Sequence, residues 1–254
     1  MATYSSKWDG LSPYLLATFY EVKKEGDNLF RWVKDPSSNI VQAPLTDSSM
    51  QVELQWNGPF DNAGVDAKAP ALMSLLQNGG IQQYSDSALG NGGVNQKLKE
   101  GLSQFEGRTG VTKLNSTQVF TGMSPLKITC TAHFRAWNDA IKEVERAVDQ
   151  LYEWALPEKL SEDGSVVARS LDLAKGKEGS DVVNTLMPSL CPRVIGMQYK
   201  GRNFAPLVIE SIDFPMDSPI NSQGKFVQMA VQMTLTTLYA VDREYWAQTK
   251  TVIL

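Results

Sequence analysis

Histidine and cysteine are scarce in this sequence, and their scarcity excludes several kinds of catalytic and metal site. The 254 residues contain one histidine, His133, and two cysteines, Cys130 and Cys191, which lie far apart. This is neither the spacing of a zinc site nor a disulfide framework. A Ser–His–acid triad would need His133 as its base, and no nucleophile-elbow sequence is present. We therefore expect no metal, no cofactor, no catalytic residue and no enzymatic activity.

Basic charge and long apolar runs are also lacking. Lysine and arginine number 24 against 28 aspartate and glutamate residues, which leaves a formal net charge of -4. Binding to nucleic acid would need a basic face. No window approaches the roughly 18 uninterrupted apolar residues of a membrane span. The start, MATYSSKWDG, has neither the basic end nor the apolar run of a secretory signal. We expect synthesis in a cytoplasm, no direct nucleic-acid recognition and no membrane insertion.

The sequence does contain a segment that changes its hydrophobic period half-way. In KITCTAHFRAWNDAIKEVERAVDQLYEWALP, residues 127–157, apolar and polar residues first alternate, with Cys130 on the apolar side. This alternation predicts a half-buried strand whose other side meets water or a partner. The helical period then begins near Ile141, with Asn138 as the expected N-cap and Pro157 as the stop. The segment therefore predicts a strand that runs directly into one amphipathic helix.

The C-terminal part predicts further strands. RVIGMQYKG and FAPLVIESIDF are separated by a short turn, which predicts a hairpin. FVQMAVQMTLTTLY, residues 226–239, alternates throughout and has Gln228, Gln232, Thr234 and Thr236 on its polar side, with no charge. This uncharged face suits a sheet that lines or closes against something else, and a solvated antiparallel sheet is the equally weighted alternative.

Strands and polar segments alternate in the remainder of the chain. LLATFY, LFRWV and MQVELQW predict strands, and APALMSLLQNGG predicts a short helix. The polar residues 78–116 predict an extended loop or arm, and residues 161–190 predict a second loop insertion. Because neither half has a complete set of strands, we expect one domain over 1–254. The predicted fold class is α+β: twisted antiparallel sheets, as a sandwich or split barrel, with one packed amphipathic helix and long loop insertions.

Several aromatic residues flank the predicted helix and the last strand. Trp137, Trp154 and Trp246 are candidates for an interface, together with Arg135 and the uncharged face of residues 228–236. Packing in the core is the default for such aromatic residues, so both interpretations stay open.

The residues around the period change resemble a known family. The pattern consists of Phe120, Gly122, Met123 and Pro125, then Phe134, Arg135 and Ala136, then Glu143 and Val144, then Leu151, Trp154, Ala155 and Pro157. It resembles that of the phage contractile-tail baseplate and hub adaptor proteins, a group that often carries a LysM domain. The likeness covers roughly residues 118–246, and no LysM-like segment follows it.

The resemblance implies a fold and a function. Such proteins are structural adaptors with a tail-tube-like fold, and they connect the tail tube or central hub to the baseplate. It implies a virion protein that forms a ring, expected as a hexamer, with tube, hub, baseplate and sheath proteins as partners. Strands of neighbouring copies would continue one sheet, and the uncharged face would line a lumen or an adjoining ring. A cell-wall glycan-binding module and, behind it, a cell-wall hydrolase are the alternatives.

Overall fold

A computed structural model describes residues 1–26, 31–57, 117–160 and 189–250 of the chain. These residues form ten strands and two α-helices, the first of which follows a π-helical turn, Ile141–Glu145. The strands are β1 (Thr3–Ser5), β2 (Leu16–Lys24), β3 (Trp32–Lys34), β4 (Ile40–Gln51), β5 (Leu54–Asn57), β6 (Val119–Met123), β7 (Lys127–Arg135), β8 (Ile195–Tyr199), β9 (Arg202–Ile212) and β10 (Gln228–Thr237). The helices are α1 (Arg146–Ala155) and α2 (Arg243–Gln248).

Six of the strands close into an antiparallel barrel. Pairing runs from β4 to β7, β10, β9, β8 and β2, and β2 pairs again with β4 through Leu16–Pro44 and Tyr20–Ile40. Two short strands extend the sheet: β1 pairs parallel to β4, and β3 pairs antiparallel to β2. Closure gives the backbone of the long strands partners within one chain. The predicted fold class, an antiparallel sheet protein with one packed helix, is confirmed.

Alternation along the strands builds the barrel interior. Every second residue of β7 and β10 is buried, and these residues face the same interior as the apolar side chains of β2 and β4. Cys130 and Phe134 are fully buried, as the alternation predicts. Removing this apolar surface from water stabilises the barrel and fixes the strand register, since a shift of one residue would expose it.

Helix α1 closes one end of the barrel. The Nε1 of Trp154 donates a hydrogen bond to Glu21 near the end of β2, at 2.8 Å, and Gln150 accepts one from Asn39 before β4, at 2.7 Å. The backbone N–H of Arg193, just before β8, donates to the Trp154 carbonyl at 3.1 Å. These partners share one end of the barrel because neighbouring strands are antiparallel. We call it the helix-capped end.

The start of the helical segment differs from the prediction in one residue. Asp139, not Asn138, caps it, because its Oδ1 accepts from the backbone N–H groups of Ile141 and Lys142 at 3.1 and 3.2 Å. The other end agrees with the sequence: α1 ends at Ala155, and the next residue is extended, as expected for a residue that precedes a proline.

In the N-terminal half, the strands differ from those that the sequence predicts. MQVELQW was predicted as one strand, but β4 ends at Gln51 and β5 starts at Leu54. The sequence does not predict most of β4, because the second half of this strand is polar and lacks an alternating pattern. The register between β4 and β7 also shifts beside Asp47, which has a φ of 47°. The predicted helix APALMSLLQNGG, the loop 78–116 and nearly all of 161–190 lie outside the described residues.

Contacts divide the chain into two compact units, Met1–Glu53 with Ser124–Leu254, and Leu54–Met123. The first contains the barrel and both helices. In the second, the structure describes the antiparallel pair β5–β6, on which Trp56 and Phe120 meet edge to face with ring centroids 5.4 Å apart. One domain over 1–254 stays a prediction.

Candidate interaction surface

The outer sides of β7 and β10 form one continuous polar surface. The two strands pair in register over nine residues, so Arg135 lies opposite Gln228 and Thr131 lies opposite Gln232. Side chains that share a face of such a pair are direct neighbours. The surface consists of Lys127, Thr129, Thr131, His133 and Arg135 on β7, and Gln228, Ala230, Gln232, Thr234 and Thr236 on β10. We call it the polar face.

The centre of the polar face carries no formal charge. Gln228, Ala230 and Gln232 are exposed, and the threonines are half-buried. The basic residues Lys127 and Arg135 stand at its two ends. The structure therefore brings together five of the predicted interface residues: Arg135, Gln228, Gln232, Thr234 and Thr236. Their side chains offer hydrogen-bond donors and acceptors over a broad area that has no strong electrostatic field at its centre.

One end of the polar face is fixed by an acidic residue of β9. The Nζ of Lys127 lies 3.1 Å from both carboxylate oxygens of Glu210, and the Thr236 hydroxyl donates to the same carboxylate at 2.7 Å. The Thr236 hydrogen bond, followed by the contact with Lys127, lowers the pKa of Glu210. Glu210 therefore stays ionised and orders both side chains. This acid was not predicted to belong to the surface.

His133 lies on the polar face and contacts a residue of the adjacent strand β4. Its Nε2 is 2.7 Å from the hydroxyl of Thr46 on β4, so the two side chains hydrogen-bond across adjacent strands. Among the described residues, no group of three or more His, Cys, Asp or Glu side chains could hold a metal ion. Through its hydrogen bond to Thr46, His133 links β7 to β4 on the outer surface.

The opposite end of the polar face leads to an exposed tryptophan. The Trp137 side chain is 56% exposed, and the Arg135 guanidinium lies 4.7 Å from its ring centroid. The carboxylate of Glu143 accepts from the backbone N–H of Trp137 and holds this segment at the start of the helical region. Arg135 and Trp137 thus join the polar face to the helix-capped end.

Two of the predicted interface tryptophans lie elsewhere. Trp154 is 1% exposed and packs in the core, so its assignment to an interface is corrected. It follows Leu151 by three residues and continues the buried stripe of α1. Trp246 is partly exposed on α2, with the Arg202 guanidinium 4.1 Å from its ring centroid. It belongs to a surface built by β9 and the C-terminal segment.

Large apolar side chains are exposed around the helix-capped end. Met216 is 85% exposed and Ile220 is 59% exposed, and both lie in the connection between β9 and β10. The same end exposes Trp137, Ile141 and Phe214. Sequence reasoning missed this feature, although DFPMDSPINS places apolar residues within a turn-rich connection, where solvent would otherwise favour polar ones.

Helices that could span a bilayer were sought in the described part of the chain, and none is long and apolar enough. Comparison with known proteins gives no matching family model and no matching curated protein. The likeness to phage tail adaptors therefore remains a resemblance at the residues quoted above.

Proposed function

We propose that this protein is a structural component of a phage tail, an adaptor that assembles into a ring and connects the tail tube or central hub to the baseplate. The observation that carries the proposal is the polar face, which is broad, regular and uncharged at its centre. The architecture also supports it, since antiparallel sheet with one packed helix is the fold class that the resemblance implies.

The polar face has the composition of a surface that meets another polypeptide. Charged residues are costly to desolvate at the core of an interface, whereas amide and hydroxyl groups can pair with a neighbour's polar groups. Gln228 and Gln232 are exposed and lie among threonines that the sheet already orders. A rigid sheet surface loses little conformational entropy when a partner binds, which favours repeated contacts in a symmetric assembly.

The exposed apolar residues at the helix-capped end offer a second contact. Met216 and Ile220 expose apolar side chains to water in one connection, and apolar residues that cluster on a surface are typical of a contact site for another protein. The two surfaces differ in chemistry and meet at Arg135 and Trp137. An adaptor needs two such surfaces, one toward its own ring and one toward the next layer of the tail.

Closure of the barrel changes how copies would meet. We expected a sheet that continues between neighbouring copies, but six strands of one chain complete a barrel. A ring then does not need a neighbour's strand to complete the sheet. We infer that copies contact one another through the polar face, with the short strands β1 and β3 as edges that a partner segment could extend.

Mass measurements test this proposal directly. Native mass spectrometry of the purified full chain is expected to give a multiple of its 28.1 kDa mass. Mass spectrometry of tail particles from cells that carry the gene is expected to find the chain in equal copy number with other ring proteins. A chain that is absent from the particles would overturn the tail assignment, and a single copy per particle would overturn the ring.

A further inference from the structure

A small cleft lies between helix α1 and the connection from β9 to β10, at the helix-capped end of the barrel. It has a volume of about 120 Å³, and its lining consists of Glu145, Val148, Asp149, Phe214, Phe226 and Met229. Val148 and Met229 are buried and form its base, whereas Asp149 and Phe214 are exposed at its rim. We call it the acidic cleft.

Ring contacts and polar contacts fix both walls of the acidic cleft. The ring of Phe214 meets those of Tyr152 on α1 and Phe226 edge to face, with centroids 5.8 and 5.5 Å apart. The Oε1 of Glu145 accepts from the backbone N–H of Phe226 at 3.4 Å, and its Oε2 lies 3.2 Å from the Nζ of Lys225. Because the walls are already ordered, a partner can bind here with little loss of conformational entropy.

The connection also presents two exposed apolar side chains next to the cleft. Ile220 forms an antiparallel bridge with Phe226, so the two side chains lie on the same side of this pair. Met216 is exposed in a turn that is closed by a hydrogen bond from the Ser218 N–H to the Pro215 carbonyl at 3.2 Å. Both side chains add apolar area for a partner, and a methionine adapts readily to the shape of what it contacts.

The charges around the cleft are mostly negative. Asp149 is exposed on α1, and Asp213 and Asp217 are exposed in the connection. None of these three carboxylates has an ion-pair partner among the residues that the structure describes. The full set is four carboxylates against two cations: Asp149, Asp213, Asp217 and Glu145 against Lys225 and Arg146. This excess of negative charge favours a cationic partner.

Three kinds of occupant do not suit this combination. A cavity of about 120 Å³ is smaller than the usual small-molecule site, which has roughly 300–1,000 Å³. An anionic lipid surface would be repelled by the carboxylates. A second copy that used the same surface would bring like charges together, which costs affinity. A basic polypeptide segment with an apolar side chain matches both the charge and the apolar base.

We propose that the acidic cleft binds a basic segment of another tail polypeptide, which inserts an aliphatic side chain between α1 and Phe214 and places lysine or arginine beside Asp149 and Asp217. The inference rests on the proposed function, because it names the chemistry of the partner at the second contact of the adaptor. The polar face takes no part in this contact.

Titration of the purified full chain, labelled with ¹³C at its methionine methyl groups, tests this. The probes are a synthetic peptide of leucine and lysine and a second peptide with glutamate in place of each lysine. We expect saturable binding of the lysine peptide, no binding of the glutamate peptide, and a shift of the Met216 methyl signal. The methyl signal of Met50, which is exposed near the end of β4 remote from α1, should not move.

Two variants change exposed side chains of this surface and should leave the fold intact. Asp149→Lys reverses a charge and Met216→Ser removes an apolar contact, so each should weaken binding about three- to tenfold. Glu53→Lys is the matched control for Asp149→Lys, because it makes the same change in net charge at an exposed position outside the cleft. It should leave the affinity nearly unchanged.

Three results would overturn the proposal: no saturable binding up to about 1 mM, equal binding of the two peptides, and equal weakening by Asp149→Lys and Glu53→Lys. A Met216 signal that moves when the protein alone is diluted would make a second copy the occupant and would overturn it as well. The titration needs no tail particle, so its failure leaves the tail assignment standing. Absence of the chain from tail particles would overturn the tail assignment and leave the binding of basic peptides as measured.

Discussion

The indole Nε1 of Trp154 donates to Oε1 of Glu21 at 2.8 Å and thereby joins helix α1 to strand β2 of the barrel. Trp154 is 1% exposed, so its ring also fills the helix-capped end. Trp154→Phe should lower the free energy of unfolding by about 1–3 kcal/mol, since it leaves the buried side of Glu21 without its donor. Trp154→Ala should cost about 3–5 kcal/mol, because it adds a cavity. Urea unfolding measures both.

Trp137→Phe is the matched control for that series. Its side chain is exposed, so the change should stay within about 0.5 kcal/mol. Equal losses for Trp137→Phe and Trp154→Phe would contradict the placement of Trp154 in the core.

Gly196 on β8 is predicted to tolerate no side chain. A Cβ at this position would lie 2.7 Å from the Cε2 atom of Tyr20, whose ring covers the glycine on the adjacent strand. Gly196→Ala should therefore destabilise the protein by about 1–3 kcal/mol through overpacking. Gly122→Ala is the control, because its Cβ would make an ordinary contact with Gln55 at 3.5 Å. Thermal unfolding of both variants checks this, and similar midpoints would refute the packing of Tyr20 on Gly196.

The two cysteines should differ in reactivity. Cys130 is buried in the barrel, and burial raises the pKa of its thiol to about 12, whereas Cys191 is exposed. A thiol reagent at pH 8 should label one cysteine in the folded protein and both after denaturation. Fast labelling of both thiols in the native protein would be inconsistent with a closed barrel.

The same burial makes stability depend on pH. The unfolded chain loses the Cys130 proton near pH 9, and the folded chain keeps it until about 12. The unfolded state binds fewer protons between these values, so the free energy of unfolding falls as pH rises, by up to about 1.4 kcal/mol per pH unit. Cys130→Ala should flatten this slope between pH 9 and 11. If the variant shows the same dependence of unfolding free energy on pH as the wild type, Cys130 ionises at the same pH in the folded and unfolded states.

A charge at the centre of the polar face should block assembly without unfolding the chain. Gln232 is exposed on β10, and Gln232→Glu would place an unpaired carboxylate in the proposed contact between copies. We expect loss of the oligomer at a nearly unchanged unfolding midpoint. Gln198→Glu on β8 is the matched control, since Gln198 is also exposed on a strand but lies outside the polar face. Equal effects of the two variants on the oligomer would argue against this surface.

The elements that could be predicted are those with an unbroken period. Strands β7 and β10 and the end of α1 at Ala155 agree with the sequence because alternation, helical spacing and Pro157 act locally. The phase of the helix was harder to predict. The π-helical turn Ile141–Glu145 precedes α1 and changes which residues of the segment face the core. As a result, Ile141 is partly exposed, whereas Trp154 belongs to the buried stripe.

The closure of the barrel could not have been predicted, because it depends on pairing between distant segments. Tyr20 lies opposite Ile40 on β4 and Gly196 on β8, and no local pattern specifies either partner. For the same reason, the polar sides of β7 and β10 were each predicted, but their alignment, with Arg135 beside Gln228, required the register.

A cryo-electron microscopy map of a tail particle that contains this chain tests the central claim most directly. The account predicts polypeptide of a neighbouring copy against Gln228, Gln232 and Thr236, with the chain repeated around the tail axis. A map in which this face of the barrel is surrounded by bulk solvent, with no other chain in contact, would contradict it.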